Sequence, residues 1–247
     1  MTENASIGKD DRPRRRVHGR RRGKALRPRL KGLVERLLPG LLLKEEELSQ
    51  GVDPRSFFPQ PVEAVWLEIG FGKGEHLLWQ AERHPEIGFV GCEPFIDGVA
   101  TLLSGIEEKG LTNIRLLRDD ARFLLDHLAP GSLGRVFLLF PDPWPKLRHH
   151  KRRFVQTETL ALLANRMAKG GELRIGTDHA DYGLWILRHM AASPDFSWEV
   201  TRLSDCLTRP DDWPQTRYEA KAVREGRSSI YLSYRRGPRR MALEQRP

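Results

Sequence analysis

At 247 residues, 39% of them hydrophobic, the chain is long enough to bury a sizeable core, and one domain with an appendage is the expected arrangement. Its two cysteines, Cys92 and Cys206, exclude a disulfide framework and a spaced cysteine metal site, and predict a reducing, cytoplasmic setting. No apolar run is long enough to span a bilayer and the N-terminal stretch has no apolar signal core, so no membrane association is expected. The net charge of +9 is unevenly placed, because Arg12 to Lys31 holds eleven Lys or Arg and no acid. Taking those eleven away leaves the remainder near −2. Residues 1–31 have few apolar groups to offset ordering entropy and are predicted to be a disordered basic arm. A solubilising tail is the plain reading. A run of like charges with no acid between them fits an electrostatic arm for a polyanion better, driven by counterion release.

Gly32 to Leu43 reads as a short helix broken by Pro39-Gly40, and an irregular linker follows to residue 61. From residue 62 to 240 strands and helices alternate, with 241–247 left as a tail. "AVWLEIG", "GFVGCE", "NIRLLRDD", "RVFLLF" and "ELRIGTDH" read as strands. Helical patterns stand between them, including one read across "RRFVQTETLALLANRMAKGG" and stopped by its two glycines. Two last strands, "SWEVTRLS" and "SSIYLSYRR", flank a polar loop. This order predicts an α/β fold, a largely parallel sheet covered by helices on both faces.

In such sheets the ligand lies beyond the carboxyl ends of the strands, where the strand order reverses. "LEIGFGKGE" places Gly70, Gly72 and Gly74 directly after the first strand, where they permit a tight turn and close approach to the main chain. It is not the dinucleotide fingerprint, because Glu75 stands where a small residue is needed. Glu68 ends the same strand, and a carboxylate there repels a pyrophosphate and favours an amino group or a sulfonium. Glu93 ends the second strand, where an acid accepts both hydroxyls of a ribose. Asp119 and Asp120 end the third, where one of the two can accept from an adenine's amine. One such acid is ordinary solvation. Glu68, Glu93 and Asp120 on three consecutive strands ask for a cationic, ribose-bearing ligand, and S-adenosylmethionine has the charge, the ribose and the adenine.

The fourth strand runs into "FPDPWPKLRHHKRRF". Phe140, Asp142 and Trp144 each precede a proline, so all three are predicted to be extended. The result is a stiff loop that aims Asp142 and Trp144 at the place for a methyl acceptor. Lys146 to Arg153 then carries five Lys or Arg and two His. A solvated helix start explains such a run, but its place directly after the loop points to phosphates.

Together, "LEIGFGKGE", "FPDPWPKLRHHKRRF", "GTDH" and "QTRYEAKAVREGR" resemble the bacterial tRNA (guanine-N7-)-methyltransferase family, from about Val62 to Tyr234. The resemblance implies a Rossmann-like class I methyltransferase with a seven-stranded, mostly parallel sheet, acting on a guanine in the variable loop of tRNA. It implies Glu68, Glu93, Asp120 and Asp142 as cofactor-site acids, with Asp142 also catalytic. Lys146, Asp178, Thr216, Arg217, Tyr218 and Glu219 match its substrate positions, and Arg148, His149, His150, Lys151, Arg152 and Arg153 its RNA-contacting segment. Ala222 departs from it, standing where glycine is expected. The 7-nitrogen of guanine has a free lone pair, so methyl transfer needs alignment rather than a base. Asp142, Asp178 and Glu219 are candidates to hold the base, with Trp144 or Tyr218 stacked on it. A methyltransferase for another substrate and a non-catalytic RNA-binding module on the same fold are the competing readings. Monomer and homodimer are equally compatible with the sequence.

Overall fold

The computed structural model describes Gly23 and residues 25–237. The basic arm up to Arg22 and the tail at 241–247 lie outside the described residues. Helix α1 (Pro28–Arg36) opens on a proline, whose missing N–H is not needed at a helix start. It therefore begins before Gly32, inside the stretch read as arm. Helix α2 (Leu38–Leu41) follows, and Leu33 and Leu38 are buried.

Strands and helices then alternate as β1 (Ala64–Ile69), α3 (Glu75–Arg83), β2 (Ile87–Cys92), α4 (Ile96–Lys109), β3 (Ile114–Leu117), α5 (Ala121–His127) and β4 (Leu133–Leu139). After a 3₁₀ segment, Leu147–Arg152, come α6 (Thr157–Arg166), β5 (Met167–Thr177), α7 (Ala180–Ala192), β6 (Phe196–Trp198), α8 (Arg217–Arg224) and β7 (Ile230–Arg236). The caps follow from side-chain chemistry. Asp120 accepts from the Arg122 N–H at the start of α5, and Thr216 accepts from the Glu219 N–H at the start of α8.

The seven strands form one sheet in the order β3-β2-β1-β4-β5-β7-β6. β1 to β5 pair in parallel, and β7 runs antiparallel between β5 and β6. The order reverses between β1 and β4, which opens a crevice at their carboxyl ends. Alternate residues of β1 serve opposite faces. Val65, Leu67 and Ile69 join an apolar cluster with side chains of α5, α6 and α7. Trp66 packs with Phe89 and the cluster of α1, α3 and α4. Among the described residues no helix is long and apolar enough to cross a membrane.

Two elements differ from the sequence reading. The helix expected across Arg152–Gly171 is α6 followed directly by β5. Met167 is buried and pairs with Leu133, and the register then jumps to Arg135 opposite Glu172. Gly170 and Gly171 sit in that irregularity, where a Cβ on Gly171 would meet the Ala168 carbonyl oxygen at 2.9 Å, so they form a bulge rather than a helix stop. The polar loop before the last strand contains α8, and β6 is correspondingly short. Only Glu219 and Ala222 of α8 are buried, so its sequence carries almost no apolar stripe to read.

Candidate active site

β1 ends in the glycine turn. Gly70, Gly72 and Gly74 have φ of 71°, 57° and 81°, a region that disfavours any residue with a Cβ. The Gly70 N–H donates to the Cys92 carbonyl at 2.8 Å and ties the turn to the end of β2. Helix α4 comes so close that a Cβ on Gly98 would stand 2.0 Å from the Gly72 carbonyl oxygen. Gly98 was not singled out from the sequence, where it is one more glycine in a helical pattern. The turn, the start of α4 and the ends of β1 to β4 enclose a cleft of ≈ 380 Å³.

Glu93 and Asp142 line this cleft from strands on either side of β1. Glu93 is buried, and its two oxygens accept from the Gly72 and Phe95 N–H groups, each at 3.0 Å. Burial pushes its pKa up against those two bonds, and the charges of Asp142 and Glu68 add to the rise. Asp142 is open to solvent, yet the surrounding walls strip enough hydration to raise its pKa as well. Asp119 and Asp120 both line the cleft. Asp120 is engaged with Arg122, whose Nη1 lies 2.9 Å from its Oδ2, and Asp119 accepts from the Asp120 N–H at 2.8 Å.

Glu68 is placed differently from the other acids. It is 3% exposed and does not line the cleft. His76 Nδ1 donates to its Oε2 at 2.8 Å, Gln80 Nε2 lies 3.1 Å from the other ring nitrogen, and that amide also donates to the Asp212 carbonyl at 2.8 Å. The first-strand acid is thus tied through α3 to the segment that leads into α8.

The loop after β4 corrects a backbone expectation. Phe140 and Trp144 have φ of 50° and 44° rather than extended values. Proline excludes the right-handed helical region for the residue before it but leaves the left-handed one to be set by packing. Such geometry costs on the order of 1–3 kcal/mol per residue and persists where the surroundings hold it. Two anchors do so: the Phe140 N–H donates to the Gly176 carbonyl at 2.7 Å, and Arg153 Nε donates to the Pro143 carbonyl at 2.8 Å.

Arg153 therefore leaves the set of RNA-contacting candidates. It is 0% exposed, pairs with Asp181, and lies over the rings of Tyr182 and Trp185 at 5.0 and 4.9 Å. Most of the rest of the segment faces outward or into the cleft, while His150 turns toward α7 with its Nε2 buried. Lys146, Arg148 and Lys151 are exposed, and Arg152 lines the cleft with its guanidinium 5.0 Å from the Trp144 ring centre. His149 packs edge-on to Trp144 at 5.9 Å and His150 to Trp185 at 5.3 Å.

Arg217 and Tyr218 complete the cleft. The Tyr218 ring packs so close to the turn that a Cβ on Gly72 would lie 2.9 Å from it. Thr216 and Glu219 have capping-box spacing, but the Glu219 carboxylate turns inward. Its Oε1 accepts from the Tyr231 hydroxyl at 2.5 Å and from Arg209 Nε at 3.1 Å, while Oε2 is buried without a partner among the described residues. Asp178 pairs with Arg227 and lies outside the cleft lining. Ala222, where glycine was expected, sits fully buried within α8, where a methyl side chain favours the helix. The segment before α8 is rooted by Trp213, which the sequence reading passed over because it sits in a polar stretch. It is 0% exposed, and its ring meets Gly176, Tyr231 and His76.

Residues 62–232 match a family model whose description is "Putative methyltransferase". The chain is 49% identical over 226 residues to a tRNA (guanine-N(7)-)-methyltransferase of Rhodospirillum rubrum, an alignment covering 91% of this chain and 89% of that one. It is 50% identical over 224 residues to the protein of that name from Zymomonas mobilis, covering 90% and 94% of the two chains. The chain belongs to the tRNA (guanine-N(7)-)-methyltransferase family. Its fold is also that of the solved 16S rRNA methyltransferase KamB, with a TM-score of 0.51 at 17% identity over 72% of this chain and 89% of that one. The chain is thus an α/β, Rossmann-like methyltransferase with a seven-stranded, mostly parallel sheet, and the four motifs that carried the resemblance fall within the matched region or at its end.

Proposed function

We propose that this member of the tRNA (guanine-N(7)-)-methyltransferase family transfers a methyl group from S-adenosylmethionine to the 7-nitrogen of a guanine in the tRNA variable loop. The observation that carries the reading is the strained loop around Asp142, set at the carboxyl end of β4 in the same cleft as Glu93, Asp119 and Asp120. The cleft suits the cofactor. Gly70 lines it with nothing within 4 Å of where a Cβ would stand, and three of its strand ends present acids.

When bound, S-adenosylmethionine supplies an electrophilic methyl group on a positively charged sulfur. Glu93 keeps acceptor capacity beyond its two backbone bonds, because each carboxylate oxygen takes more than one donor, and serves the ribose hydroxyls. The Asp119–Asp120 pair serves the adenine amine. Glu68, oriented by His76, adds negative charge from behind the glycine turn. Asp142 orients the guanine and stabilises the positive charge that develops on it, without acting as an obligate base. Asp178 and Glu219 lie outside the cleft lining, paired with Arg227 and with Tyr231 and Arg209, which leaves Asp142 as the carboxylate for the base; Thr216 caps the helix that carries Arg217 and Tyr218, and Trp144 or Tyr218 stacks on the ring. Lys146, Arg148, His149, His150, Lys151 and Arg152 hold the flanking phosphates. A tRNA substrate and the cysteine usage both support a cytoplasmic setting.

The raised pKa values of Glu93 and Asp142 set a pH dependence. Both groups attract a cation only when ionised, and a bound cation pulls both pKa values back down. Cofactor binding is therefore expected to release protons and to weaken as pH falls through a range above that of ordinary carboxylates. Titration calorimetry from about pH 7 down to about pH 4.5 reads this directly, and a flat affinity across that range would contradict it. The function itself is tested by incubating the protein with labelled S-adenosylmethionine and unmodified tRNA, then analysing nucleosides. Label in 7-methylguanine is expected. Label in another nucleoside, or none, sinks the reading.

A further inference from the structure

Beside the cleft, on the side of the glycine turn, lies an open groove between that turn and α8. It is lined by Ala220 and six longer side chains, Lys73, Glu75, Arg217, Tyr218, Lys221 and Arg224. Four of these seven residues are cations, and all four are exposed. Arg217, Lys221 and Arg224 recur at i, i+4 and i+7, which puts them on one face of α8, opposite the buried Glu219 and Ala222. Along the helix axis they span about 10 Å, at about 1.5 Å per residue. The groove's single acid, Glu75, faces the charges of Arg217 and Lys73 and accepts from the Arg217 N–H, so it offsets only part of the row. Among the described residues Lys73 and Arg224 form no ion pair, and Lys221 reaches only the exposed Glu225 at 3.8 Å, a contact of little strength. A row of exposed cations with so little internal compensation has the electrostatics of a polyanion site.

Lys73, Arg217 and Tyr218 line both this groove and the cleft, so the two are continuous. The basic segment after Asp142 reaches the same cleft through Arg152, from a different element. We infer that the groove is a second phosphate track. In it α8 grips the tRNA backbone on one side of the target nucleotide, while the Lys146–Arg152 segment grips the other. The inference rests on the proposed tRNA substrate and extends it to Lys73, Lys221 and Arg224. Two tracks flanking one cleft hold a nucleotide out of the RNA stack without demanding sequence contacts, as presenting a base held in folded RNA to the cleft requires.

The test measures binding of an unmodified tRNA transcript to the full chain by fluorescence anisotropy over a series of salt concentrations. It compares wild type, Lys221→Gln/Arg224→Gln and Lys109→Gln. Lys109 sits at the far end of α4 from the cleft and pairs with Glu82, so it serves as a charge-loss control. The double variant is expected to bind about 10-fold more weakly near 0.1 M salt, with the slope of log affinity against log salt reduced by about two. Lys109→Gln is expected to keep the wild-type slope. An unchanged slope in the double variant overturns the groove. So does weaker binding accompanied by a lower melting temperature and no change in slope, since that is loss of structure rather than of phosphate contacts. Nucleoside analysis of the same wild-type preparation separates this from the parent reading. If 7-methylguanine forms while the double variant keeps its slope, only the groove is wrong; if none forms, the substrate assignment itself has failed.

Discussion

Asp142→Ala is expected to lower kcat for tRNA methylation by about 10²- to 10³-fold, the usual cost of removing one preorganised electrostatic group, while tRNA affinity changes by less than about threefold. The structure makes the variant clean. Among the described residues Asp142 forms no hydrogen bond or ion pair, and its raised pKa comes from desolvation alone. The strained positions are its neighbours Phe140 and Trp144, whose anchors do not involve its side chain. Truncation should therefore leave the loop and the melting temperature in place. Asp142→Asn divides the two roles proposed for the carboxylate. It keeps the shape and one acceptor oxygen but loses the charge. If orientation dominates, the Asn variant retains most of the activity. If charge stabilisation dominates, it falls nearly as far as Ala. An Ala variant within about threefold of wild-type kcat would falsify the catalytic assignment, whatever the tRNA affinity.

The layout of the fold was legible because its signals are local. β1 to β4 are largely apolar runs with a breaker or a charged residue close behind, and glycine or proline punctuates most of the helices. Acids at the carboxyl ends of β1, β2 and β3 could be read as a group, since topology alone places those ends together. What escaped depends on contacts made across the chain. A run of cations does not reveal which member turns inward, and Arg153 became a buried clamp because the 3₁₀ turn Leu147–Arg152 delivers it to Pro143 and Asp181. Glu68 reads as a cofactor acid, but the His76 that engages it lies on α3 and has no signature in the sequence. The proline rule gave the forbidden region for Phe140 and Trp144, not the one that packing selects. Helix α8 was missed because its buried face consists of a glutamate and an alanine.

Trp213→Ala is expected to cost about 3–5 kcal/mol of stability, as large-to-small changes in a closed core do. At about 2–4 °C per kcal/mol for a chain of this size, the melting temperature should fall by roughly 6–20 °C. The ring is fully buried, and it is the largest side chain in its own small cluster with Phe137, Leu139 and Tyr231. Gly176 on β5 faces it so closely that a Cβ there would lie 3.0 Å from the ring, a fit that leaves no slack for neighbours to fill the void. Trp213→Phe should retain most of the lost stability. Among the described residues the buried indole N–H has no partner, so replacing it forfeits no hydrogen bond and removes an orphan donor. A thermal melt of the three proteins decides this, and an Ala variant within about 2 °C of wild type would refute the anchor. The consequence for activity follows from position. Trp213 roots the segment that enters α8, where Tyr218 packs on Gly72 and Glu219 is held by Tyr231. At a temperature where the Ala variant is still folded, its KM for tRNA should rise more than its kcat falls. The opposite pattern is expected of Asp142→Ala, since Asp142 is proposed to act on the reacting base and among the described residues its side chain holds no part of the fold.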